Sequence, residues 1–163
     1  MRLLFFIVSI LVLNFQSIDL NQVRNTYKEV AGNKEKLPEF NKLLYNITKN
    51  DKVELIAYKG AGIALKGRYA KKIKDKRNFF INGVTLVEYA IKKAPNNIEL
   101  RFIRLGIQEN IPKLLRYKGE ISEDKNFIMA HYSTIHSVQL KTHIKQYVLQ
   151  SSVFTSEEKS VVN

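Results

Sequence analysis

Five polar residues on one predicted helix, Glu99, Arg101, Arg104, Gln108 and Asn110, are the residues here best placed to do chemistry, with Tyr117 a short way downstream. Arg101, Arg104 and Gln108 stand at i, i+3 and i+7, which at 100° per residue is one line along a helix. Two guanidiniums on such a line could grip an anionic or polar ligand, and Glu99 beside them could move a proton. That is the outline of a small hydrolase or lyase working in a central cleft. The same line has a structural reading. Arginines set between apolar stripes need partners, because an unpaired buried charge costs several kcal/mol. Acids such as Glu54 or Glu88 could supply them, or the arginine heads could reach out to water. Convergence on an open pocket would favour the enzyme, and mutual pairing would favour the scaffold.

A second group is purely basic. Lys66, Arg68, Lys71, Lys72, Lys74, Lys76 and Arg77 surround a single acid, Asp75. This cluster could hold an anionic glycan or lipid headgroups, or be a solvated helix end. Tyr69, Phe79 and Phe80 lie nearby, but one tyrosine and two core-type phenylalanines do not form a base-stacking platform.

Other chemistry is excluded or unsupported. Without cysteine there is no thiolate nucleophile, no cysteine-held metal and no disulfide. His136 and His143 sit about 10 Å apart along a shared helix, too far for one metal ion with bonds of ~2 Å; His131 stands apart. Ser133 and Ser137 lack an acid partner for His136. No phosphate-binding loop, nucleophile elbow or zinc-protease motif occurs, and no cofactor is indicated.

The elements that must position these groups are helical. Over 98–110, Leu100, Ile103 and Ile107 make one apolar stripe, and Ile98, Phe102 and Leu105 a second on the other side, so this helix is packed on both. Before it, Phe80, Gly83, Val87, Ala90 and Ala94 mark a helix over 79–94 that Pro95 ends. A long helix over 52–70, capped by Asn50 or Asp51, carries the small-residue face Ala57, Gly60, Ala61, Ala64 and Gly67. Glycines within a helix cost about 1 kcal/mol each, which close contact with the 79–94 helix would offset. The basic run between the two reads as a long connection.

Upstream, Leu20, Val23, Tyr27 and Val30 mark a helix capped by Asp19 or Asn21, and Leu37, Phe40, Leu44 and Ile47 mark another that starts near Pro38. Downstream, Leu114, Leu115 and Tyr117 tuck inward from a loop. Ser122 caps a further helix with Glu123 and Asp124 in its first turn, where the helix dipole favours acids. Leu140, Ile144, Tyr147 and Val148 mark a last long helix, and Thr155 with Glu158 forms a capping box. Nothing alternates with period two over more than a few residues. The expected fold is all-α, an antiparallel array of six or seven helices.

The 163 residues suit one domain. Met1-Arg2 is followed by an apolar run of eleven residues, Leu3 to Leu13, interrupted only by Ser9, too short for a bilayer span of about 20 and typical of a secretory leader. The expected organisation is a signal peptide over 1–17, one helical domain over 18–154, and a short helix or frayed tail over 155–163. The chain holds 27 Lys and Arg against 15 Asp and Glu, a net +12, and only Arg2 of these falls in the leader. That balance favours anionic surfaces, and export makes nucleic acid an unsuitable partner.

Gly83, Val87, Ala90 and Pro95, with the Asn96-Asn97 turn, resemble the second helix of a tetratricopeptide repeat over about half a repeat. The resemblance implies a tight helical hairpin and protein binding. Glu99, Arg101, Arg104, Gln108, Asn110, Pro112, Tyr117, Glu123 and Asp124 are similar to a group of small secreted helical proteins of Bacteroidetes bacteria, over about 55–128. That likeness implies an address and no activity. The expectation is a non-catalytic exported binding or scaffold domain of the cell envelope, whose partner is a protein or an anionic envelope component. The alternatives are the hydrolase or lyase and the basic module.

Overall fold

The structure is a computed structural model describing residues 18–112 and 115–163, which form eight α-helices with no strand. The fold is all-α. The expected leader over 1–17 and the inward Leu114 lie outside the described residues. Among those described, no helix is long and apolar enough to cross a membrane.

Helix α1, Leu20–Gly32, starts where Asp19 accepts a hydrogen bond from the Asn21 amide at 2.9 Å. Helix α2, Leu37–Leu43, takes Pro38 in its first turn. It ends sooner than its apolar spacing implies, yet Leu44 and Ile47 are still buried from the turn that follows. Helix α3, Val53–Tyr69, has no side-chain cap. The expected cap, Asp51, instead accepts from the Thr48 amide and hydroxyl at 2.7 and 2.9 Å and closes the preceding turn.

Helix α4, Ile73–Lys93, begins well before the expected start at Phe79. The link from α3 is therefore only residues 70–72, a short turn and not a long basic connection. Its first turns are Lys- and Arg-rich, with no Gly or Pro to break them, and Asp75 there suits the positive helix end.

The α3–α4 seam explains the glycines. A Cβ on Gly83 would sit 2.5 Å from the Gly60 carbonyl oxygen and 2.6 Å from the Ala64 nitrogen; one on Gly67 would sit 2.8 Å from the Lys76 carbonyl oxygen. Gly60 thus faces Gly83 while Gly67 faces Lys76, so the helices run antiparallel with their backbones in contact.

Asn97 caps α5, Ile98–Asn110, by accepting from the Glu99 amide at 3.0 Å. This helix packs against α3 and α4 and also against α6, Ile121–His131. Leu100, Ile103, Phe102, Leu105 and Ile107 are all buried, so both predicted stripes are used. Ser122 does not cap α6: Glu120 holds that position without a side-chain cap, and Ser122 is exposed.

Helix α7, Val138–Gln150, is capped by Ser137. His136 therefore precedes the helix and does not share it with His143, contrary to the spacing argument. Helix α8, Ser156–Val161, opens on the expected capping box of Thr155 and Glu158. The tail is docked and not frayed: Phe154 and Val162 are buried, and Lys125 pairs with Glu158 at 2.8 Å.

Candidate functional site

Helix α5 brings its polar residues to different partners. Asp124, fully buried on α6, receives Arg104 Nε and Nη2 at 2.6 Å each, a bidentate pair. Arg104 Nη1 reaches Glu88 on α4 at 3.1 Å. Arg101 donates to Glu123 at 2.6 Å, to Asp124 at 3.1 Å and to the Pro95 carbonyl at 3.2 Å. Burial is the largest single effect on Arg104 and works against its charge, but the hydrogen bonds and charge of Asp124, with the charge of Glu88, together outweigh it, so its pKa is raised. On Asp124 burial is the larger effect and pushes its carboxyl up, against the pull of both arginines.

Glu99 takes no part in this. Its carboxylate accepts from Arg24 of α1 at 2.6 and 2.7 Å and from the Tyr58 hydroxyl of α3 at 2.8 Å. The Glu99 hydrogen bond holds the Arg24 pKa up. Burial first, and then the Glu99 charge, push the Tyr58 phenol up. Glu54, considered as an arginine partner, accepts from Asn97 instead, at 2.6 Å.

Tyr117 donates to Glu88, so it does join Arg104 through a shared carboxylate. Gln108 is fully buried and donates to Glu120 at 2.8 Å, while its amide oxygen has no partner among the described residues. Asn110 donates to the Gly106 carbonyl at 2.9 Å and borders a separate cleft.

The basic group sits at the far end of the α3–α4 hairpin. Lys66 and Arg68 fall in the last turn of α3, Lys71 and Lys72 in the link, and Lys74, Lys76 and Arg77 in the first turns of α4. All seven are exposed. Among the described residues, ion pairs involve only Arg24, Lys36, Arg101, Arg104 and Lys125 on the cationic side. Next to this end, Lys34, Lys42, Lys66, Tyr45 and Tyr69 border an open groove of about 690 Å³, with Lys34 Nζ 5.6 Å above the Tyr69 ring.

Three participants escaped the sequence reading. Arg24 lies on the apolar face of α1 between Val23 and Tyr27, and that placement was the available signal. Asp124 reads as a dipole-compensating acid, and its partners come from another helix. Glu109 accepts from Tyr147 at 2.6 Å, from the Ser151 hydroxyl at 3.0 Å and from the Ser152 amide at 2.9 Å. Burial would raise its pKa, but those hydrogen bonds together outweigh it and lower it. No group of three His, Asp or Glu among the described residues could hold a metal ion. No protein-family model, curated protein or solved structure matches this chain.

Proposed function

We propose that this chain is a non-catalytic, exported helical binding domain that holds an anionic component of the cell envelope on the basic end of the α3–α4 hairpin. One observation carries the reading: seven exposed cations share that end with the single acid Asp75, and none has an ion pair among the described residues, while Glu88, Glu99, Glu109 and Asp124 of α4, α5 and α6 are engaged by partners within the fold. Unpaired lysines on a rigid hairpin produce a concentrated positive field, which attracts polyanions and headgroups with strong dependence on salt. The leader-like 1–17 supports an envelope address. Less supports a hydrolase or lyase, since Glu99 and the two arginines answer to different helices and meet over no common space.

The test is binding of the purified protein to vesicles of phosphatidylglycerol in phosphatidylcholine, to an anionic polysaccharide such as alginate, and to duplex DNA. The variant is Lys71→Gln/Lys72→Gln/Lys74→Gln/Lys76→Gln. We expect wild type to bind vesicles or polysaccharide at low salt, and the variant to lose about tenfold or more in affinity. Equal binding by the variant, or a preference for DNA over both envelope probes, would refute the assignment.

A further inference from the structure

Gly106 differs from the glycines of the hairpin. At Gly60, Gly67 and Gly83 a Cβ would strike backbone, and at Gly62 it would press on the Phe40 ring at 3.0 Å. At Gly106 an added Cβ would meet only the Tyr27 hydroxyl, at an ordinary 3.7 Å. Packing does not demand glycine here, although glycine weakens a helix interior. What the missing side chain does is leave open the floor of a cleft of about 170 Å³. An apolar cavity of roughly 150 Å³ accepts benzene.

The lining has a distinct chemistry. Phe80, Phe102, Ile107 and Ile111 supply apolar wall. The His143 ring stands edge-on to Phe102 at 4.9 Å between centroids and 6.2 Å from Tyr27, so the wall presents faces and edges for another ring. Neither the Tyr27 hydroxyl nor the His143 ring nitrogens have a hydrogen-bond partner among the described residues. The Tyr27 hydroxyl, beside Gly106, therefore has its hydrogen to give. Burial, helped by Lys28 and Arg24, lowers the His143 pKa to about 4, so the imidazole is neutral at pH 7. Among the described residues, Arg68, exposed and without an ion pair, is the one charged side chain that lines the cleft, and no acid lines it.

We propose that the cleft over Gly106 binds a small aromatic carboxylate, with its ring between Phe102 and Tyr27 and its carboxylate toward Arg68 and the Tyr27 hydroxyl. This does not depend on the polyanion reading, and its test leaves Arg68 and the lysines untouched.

The probe is phenylacetate, titrated into isotopically labelled protein and followed by NMR, with toluene and phenethylamine as controls. We expect phenylacetate to shift the Gly106 amide and the Tyr27 and His143 ring signals, and phenethylamine to leave them in place. Gly106→Leu fills the floor and should weaken binding by about tenfold or more; Tyr27→Phe removes the hydroxyl and should weaken it about fivefold. If Gly106→Leu fails to fold, Tyr27→Phe decides alone. No shift at Gly106 up to ~10 mM probe, or affinity unchanged in Tyr27→Phe, would overturn the site. Toluene binding as well as phenylacetate would overturn the carboxylate. Contacts between the apolar residues of 1–17 and Gly106 in probe-free protein would give the cleft to the chain's own leader and overturn it too.

Discussion

The centre of α5 and the far end of the α3–α4 hairpin are both rich in cations, and they use them in opposite ways. At the centre the cations are arginines: Arg104 holds Asp124 with a bidentate fork, and Arg101 bridges Glu123 and Asp124 through one guanidinium nitrogen. At the hairpin end five of the seven are lysines, all exposed and without an ion pair. The chemistry of the two side chains fits this division: guanidinium is weakly hydrated and matches a carboxylate edge, whereas ammonium holds its water and serves as a mobile point charge. A positive net charge thus says little about function until the internally paired part is set aside. In this molecule that part contains the very residues whose spacing most resembles an active site.

The comparison breaks most visibly at Arg104. Arg104→Met keeps the aliphatic stem but leaves Asp124, fully buried, with Arg101 at 3.1 Å as its remaining cation. We expect a loss on the order of 3 kcal/mol or more, a large part of a typical 5–15 kcal/mol stability. The double variant Arg104→Met/Asp124→Leu should recover much of it, because an apolar pair can replace a buried ion pair at little cost. Urea midpoints for the two decide the matter. An Arg104→Met midpoint at or above wild type would mean that α5 carries its arginines for a ligand.

The hairpin offers a second, smaller contrast, between its seam and the cleft behind it. Gly83→Ala puts a methyl 2.5 Å from the Gly60 carbonyl oxygen. Overpacking of 1–3 kcal/mol then exceeds the gain of about 1 kcal/mol in helix propensity, and stability falls. Gly106→Ala meets nothing closer than 3.7 Å and should gain up to about 1 kcal/mol from the same propensity. Thermal melts of the two should move in opposite directions. A melt in which Gly83→Ala also rises would mean that the two helices can separate without loss.

What was legible in the sequence follows from range. The bounds of α5 are framed by local punctuation, Pro95 and Asn97 before it and Pro112 after, and its two stripes follow from spacing alone. The seam was legible because small residues recur at helical intervals on both of its strands of sequence, 57–67 and 80–94. The start of α4 was not: no Gly or Pro lies between Lys72 and Phe79, and a run of lysines reads equally as loop or helix. The partners of Arg101 and Arg104 were half legible. Glu88 lies on the helix before α5, but Asp124 and Glu123 reach them only once α6 folds back, and Arg24 finds Glu99 across 75 residues. The cleft was illegible because its one signal, a helical glycine without a packing reason, requires knowing what surrounds Gly106.

The smallest expected effect tests the other half of the comparison. If the hairpin lysines serve a partner and not the fold, neutralising Lys71, Lys72, Lys74 and Lys76 together removes no intramolecular pair. It also relieves repulsion among like charges crowded at the first turn of α4, where the positive end of the helix dipole already disfavours cations. The quadruple glutamine variant should therefore unfold within about 0.5 kcal/mol of wild type, on the stable side if it moves at all. The shift should shrink as salt is raised, because exposed charges are screened within about 10 Å at 0.1 M. A loss of more than about 1 kcal/mol would show that these lysines hold the hairpin together. The end of the hairpin would then belong, like the arginines of α5, to the structure and not to a binding surface.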